Sequence, residues 1–111
     1  MRVDWTATAR REFNQAFDYM FNERPAAALA WQEDVRSMLE MIELHPEMGH
    51  RHRSTPGGEY REMIVGRYRF IYRLAGNILK MRRILHVRRD FDPQRIREGV
   101  PRGFPVFASA A

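Results

Sequence analysis

The spacing of apolar residues along this chain changes period twice. "MRVDW" alternates, which predicts a short first strand with Val3 and Trp5 turned inward and Thr6 placed to cap the next element. From Ala7 to about Asn22 the period lengthens. Ala9, Phe13, Ala16, Phe17 and Met20 recur at helical spacing. "NERP" interrupts the run, and Pro25 suits the first turn of a second helix, where a missing N–H costs nothing. Ala28, Trp31, Val35, Met38, Leu39 and Ile42 give that helix one broad apolar face, which Pro46 ends. Two helices joined so tightly form an antiparallel hairpin.

"HPEMGHRHRSTPGG", with two prolines and three glycines, reads as a loop. Alternation then returns in "EYREMIV", "RYRFIYRLA" and "ILKMRRILHV", the last two separated by the turn "GN". The predicted order is β-α-α-β-β-β. This is an α+β fold in two layers, an antiparallel-type sheet with the helical hairpin packed on one face. Residues 1–90 are expected to form the single domain. Residues 91–111 are expected to form a Pro/Gly-rich tail, largely irregular, with one helical turn near Gln94–Glu98 and Phe104, Val106 and Phe107 available for docking.

Charge becomes informative on the uncovered sheet face. Strand side chains alternate between faces. Tyr68, Phe70, Tyr72 and Leu74 are therefore expected under the helices, with Arg67, Arg69, Ile71 and Arg73 on the open side. In the last strand, Leu79, Met81, Leu85 and Val87 are expected inward, and Lys80, Arg82, Ile84 and His86 outward. Guanidinium groups are costly to bury unpaired, and an open face removes that cost. The charge is also segregated. Residues 1–50 hold five Lys/Arg against nine Asp/Glu, and residues 51–100 hold thirteen against five. Lys80 is the only lysine in the chain. The bias is toward arginine, whose planar fork matches carboxylates and phosphates. The pattern predicts an anionic partner, either nucleic acid or an acidic protein segment.

The chain has no cysteine, no run of apolar residues long enough to span a membrane and no apolar signal core, so the expected location is the cytoplasm. His45, His50 and His52 lie close in sequence, but a zinc site also needs a fourth ligand and a rigid frame. They are read as loop residues, and no metal or other cofactor is expected. Arg61 and Glu62 point to opposite faces, which leaves Glu62 able to neutralise an arginine on the next strand. An exposed aromatic platform for single-stranded nucleic acid is missing, with only Tyr60 and Tyr68 as candidates.

Six segments in order, "WTATA", "RPAAA", "HPEMGHR", "YREM", "YRFIYRL" and "ILHVRRD", resemble the ParE/RelE superfamily of bacterial type II toxins over roughly residues 3–90. RelE-like members cut messenger RNA on the ribosome, and ParE-like members inhibit DNA gyrase. The RelE resemblance would make Arg69 a phosphate clamp, Arg82 its support and His86 an acid or base, in a reaction without metal. However, Val87 stands where that group has a tyrosine, and Tyr60, Arg61 and Glu62 replace its paired lysines. "RE" in that strand and "LH" followed by "RR" at the end look more like ParE. The resemblance thus implies a gyrase inhibitor silenced by a cognate antitoxin, whose acidic C-terminal segment wraps the toxin as a helix and an added strand. Arg61, Arg67, Arg69, Arg73, Arg82, Arg83, Arg88 and Arg89 are the expected contacts with partner or target.

Overall fold

A computed structural model describes residues 2–55 and 58–88. The described elements are β1 (Arg2–Trp5), α1 (Ala7–Glu23), α2 (Pro25–Leu44), β2 (His50–Thr55), β3 (Gly58–Val65), β4 (Tyr68–Ala75) and β5 (Ile78–His86). The strands form one sheet in the order β1-β5-β4-β3-β2. β1 runs parallel to β5, and the remaining pairs are antiparallel. The sheet is therefore mixed, with a parallel edge that an antiparallel-type sheet would not have.

Thr6 joins the first strand to the first helix. Its N–H donates to the Met81 carbonyl at 3.0 Å, extending the β1–β5 ladder by one bond. Its hydroxyl accepts the Ala9 N–H at 3.0 Å and donates to the Arg82 carbonyl at 3.1 Å. One side chain thus caps α1 and fastens the cap to the sheet. Pro25 opens α2 at its first turn.

The helices cover one sheet face and close the main core. Trp31 is its hub. Its ring stacks on Phe13 at 5.1 Å, meets Tyr68 at 5.4 Å and Phe70 at 6.0 Å, and its indole N–H donates to the Val65 carbonyl at 3.0 Å. Val35, Met38, Ile42, Tyr72, Leu79, Met81 and Ile84 complete this layer. Gly66, with φ of 64°, turns β3 into β4 above the Trp31 ring.

Two expectations are corrected. The stretch from His45 to Gly58 is not all loop, because His50–Thr55 pairs antiparallel with β3 as an edge strand. Its polar composition is what an exposed sheet edge carries, so it shows no apolar alternation. The second correction concerns β5. Ile71 pairs with Arg83 while Tyr72 pairs with Met81, so Arg82 is an extra residue in a β-bulge. Beyond it the alternation inverts. Ile84 joins the helix-side core, and Leu85 joins Tyr60 and Ile71 in a small second cluster on the far face. His86, opposite Tyr68, falls on the helix side as well. The tail, with its expected helical turn and its Phe104, Val106 and Phe107, lies outside the described residues, as does Arg89.

Candidate functional site

The sheet sorts its arginines into tied and untied groups. Arg83 belongs to the tied group. Its side chain is 7% exposed and forks onto Glu12 of α1, with N–O distances of 3.2, 2.9 and 2.7 Å. The same carboxylate accepts the Ile84 N–H at 2.8 Å. β1 pairs with β5 only as far as Met81, so Glu12 takes the place of a strand partner further along β5. Burial pushes the Glu12 carboxyl up, against the pull of Arg83 and the Ile84 N–H.

Arg61 stands opposite Tyr72, on the helix side of the sheet. It donates to Glu59 at 2.7 Å and to the Glu47 and Gly49 carbonyls at 2.7 and 2.8 Å, clamping the α2–β2 connection. Tyr72 holds the same connection from below. Its hydroxyl accepts the Gly49 N–H at 3.1 Å and donates to the Pro46 carbonyl at 2.8 Å. On the far face, Arg69 donates to Glu62 at 2.9 Å, and His52 of β2 shares that oxygen at 2.8 Å. Glu62 thus does neutralise an arginine on the next strand. Burial would raise its carboxyl, but Arg69 and His52 hold it below the ordinary value.

Arg73, Lys80 and Arg82 form the untied group on the far face. Arg73 lies 5.9 Å over the Tyr60 ring and faces Lys80 directly across the β4–β5 pair. Arg82, at the bulge, stands beside Tyr60 and Arg73, and burial together with the Arg73 charge lowers its pKa. Neither Arg73 nor Arg82 has a carboxylate partner among the described residues.

Arg69, Arg82 and His86 are not brought together. The bulge turns His86 to the opposite side from Arg69, where its ring meets Tyr68 edge-on at 5.5 Å and its Nδ1 accepts the Arg88 N–H at 3.3 Å. Burial, then the charges of Arg88 and Arg67, keep His86 below the usual imidazole value. With Tyr19, Met20, Trp31 and Arg67 it lines a groove of about 670 Å³ at the closed end of the helical hairpin. A second groove of about 460 Å³, floored by Trp5, Phe13, Val35 and Leu39 and rimmed by Arg10, Gln32, Glu33 and Arg36, runs between α1 and α2, with Arg36 bridged to Glu33 and Glu40.

Sequence reasoning missed Glu12 and this second groove. The signal for Glu12 was present, because it stands three residues after Ala9 on the inward stripe of α1, where a carboxylate must find a partner. The groove had no separate signal, since its floor has the same helical spacing as the core.

The family model for the ParE toxin of the type II toxin–antitoxin system parDE matches residues 3–91. No curated protein matches the chain. Among solved structures, one described as the chromosomal ParDE toxin–antitoxin system from P. aeruginosa superposes with a TM-score of 0.62 at 19% identity. The match covers 78% of this chain and 95% of that one, a likeness of fold. The family match spans the helical hairpin, all five strands and both groups of arginines, and the chain belongs to the ParE toxin family of type II toxin–antitoxin systems.

Proposed function

We propose that this protein inhibits DNA gyrase in the cytoplasm and is neutralised by a cognate antitoxin. The family match over residues 3–91 carries this reading. The surfaces support it. The groove between α1 and α2 has an apolar floor that suits the apolar face of an amphipathic helix, and Arg10 at its rim can meet an acidic residue of that helix. β1 and β2 leave sheet edges to which an extended segment can add as a strand. The arginines would speed encounter with an acidic antitoxin segment and select it over neutral ones.

The ribonuclease reading loses support from the bulge, since the arginine and histidine it requires lie on opposite faces. A supercoiling assay with purified gyrase tests the proposal. Supercoiling should fail at excess toxin and recover when the antitoxin is added. Full supercoiling at excess toxin would count against it, and codon-linked cuts in messages after induction would favour the ribonuclease instead.

A further inference from the structure

On the far face of the sheet three cations meet, and neither of the two arginines among them has a carboxylate partner among the described residues. Arg73 and Lys80 are direct cross-strand partners, an arrangement of like charges that weakens a sheet. Arg82, on the same outward side as Lys80 by strand alternation, adds a third cation beside Arg73 and Tyr60. Arg73 Nε is buried and has no hydrogen-bond partner among the described residues. Asp4 stands opposite Lys80 on β1 and feels its charge, but it is held by Arg2 at 2.9 and 3.2 Å and leaves Arg73 and Arg82 unneutralised.

Three other arginines of the sheet are neutralised. Arg61, Arg69 and Arg83 are paired with carboxylates, those of Glu59, Glu62 and Glu12. Where this fold uses arginine to hold itself together, it supplies the counterion. At Arg73 and Arg82 it supplies repulsion and an unused, buried donor. A like-charged cluster kept against its own electrostatics fits a place for an external anion.

We propose that Arg73, Lys80 and Arg82, backed by the Tyr60 ring, form a binding site for a phosphate group. Three positive charges exceed what a single carboxylate neutralises and match a phosphate dianion, whose oxygens can accept from both guanidinium forks. Arg69 is not part of this site, because Glu62 already occupies its Nε. The site is also independent of the gyrase reading, which can fail without touching it.

Thermal unfolding of the full-length chain tests the site, with inorganic phosphate compared against chloride at matched ionic strength. Phosphate should raise the midpoint of the natural chain and leave that of Arg73→Gln/Arg82→Gln unmoved. Binding by calorimetry should weaken about tenfold or more in that variant, because its charge-assisted contacts are gone. Arg51→Gln, on the other side of the sheet, removes a charge and should keep the full phosphate effect. Without phosphate, Arg73→Gln should unfold at the same or a higher temperature than the natural chain, since it relieves repulsion.

A second arm identifies the source of the phosphate. Anisotropy with labelled single-stranded and duplex oligonucleotides should show a salt slope smaller by about two in the double variant if the group belongs to a nucleic-acid backbone. Phosphate binding with no oligonucleotide binding assigns the site to a small phosphate ligand. The proposal is overturned if phosphate stabilises no more than chloride, or if the double variant responds as fully as the natural chain. It is also overturned if Arg73→Gln is destabilised without phosphate, or if an Asp/Glu-rich peptide binds the site and phosphate does not displace it.

Discussion

Replacing Glu12 by alanine removes one carboxylate and strands two donors. The Arg83 guanidinium would keep its charge at 7% exposure with no described counterion, and the Ile84 N–H would lose its acceptor. Breaking a buried pair by deleting one partner costs about 3–5 kcal/mol. That range already contains much of the loss from the stranded backbone donor, which alone is worth roughly 1–3 kcal/mol. Small domains have about 5–15 kcal/mol in total, so Glu12→Ala should leave the protein marginal. Urea titration followed by circular dichroism would show the midpoint falling by roughly 2–3 M, for a slope of about 1.5 kcal/mol/M. The informative control is Glu12→Leu/Arg83→Met, which removes both charges and keeps most of the volume. It should recover to within about 1 kcal/mol of the natural chain, because a buried pair is not worth more than a good apolar contact. The direction of the Glu12 shift agrees. Burial holds its folded pKa above the unfolded value, so its contribution is present below the unfolded pKa of about 4.3 and is lost as pH rises through the folded value. Glu12→Gln should abolish that part of the pH profile. A loss under about 1 kcal/mol in Glu12→Ala, or a double variant as unstable as the sum of the singles, would refute the reasoning.

Two further outcomes concern the far face and the α2–β2 connection. Gly49→Ala should cost about 2 kcal/mol or more in urea unfolding, because its Cβ would clash with the Tyr72 hydroxyl and sit 2.8 Å from the Glu62 carbonyl. Glu62 titrates below its unfolded value, so its contribution is present above about pH 4.3 and fades as pH falls through the folded value. Glu62→Gln should therefore flatten the acid limb of the stability profile, and an unchanged limb would show that the Arg69–Glu62–His52 cluster does not sense pH.

Helical spacing and β alternation revealed both helices and β1, β3, β4 and β5, because each of these has one face in a core and one outside it. β2 lacks that contrast. Its described residues His50 and Arg51 are exposed and His52 is half-buried, so what makes it a strand is backbone pairing with β3. That Glu62 could neutralise an arginine on the next strand was legible from strand polarity, but which arginine, Arg69, was not. The bulge was not, because alternation can be counted correctly and still be placed on the wrong face after one inserted residue. That single residue moved Ile84 and His86 to the helix side, took Leu85 away from it, and separated His86 from Arg69.

The bulge also explains why an arginine-rich sheet need not be a uniform docking surface. In an unbroken β5, Arg83 would stand on the helix side with Met81 and Leu85, and Arg82 would stand outside with Ile84 and His86. The inserted residue sends Ile84 inward to fill the core, and Arg83 meets Glu12 at an edge that β1 no longer covers. Arg82 keeps its place beside Arg73, where nothing described neutralises it. The residues at this irregularity thus divide two roles between them: Arg83 makes the buried pair that secures α1 to β5, and Arg82 belongs to the cation cluster on the far face. Deleting the bulge residue separates the two roles from simple charge removal. A chain lacking residue 82 restores plain alternation and puts Arg83 in the outward place of Arg82, so it should lose the Glu12–Arg83 pair and keep the phosphate response, whereas Arg82→Gln should lose only the phosphate response. If Arg82→Gln also lowered the urea midpoint as far as Glu12→Ala, the two roles would not be separable and Arg82 would be part of the structural pair.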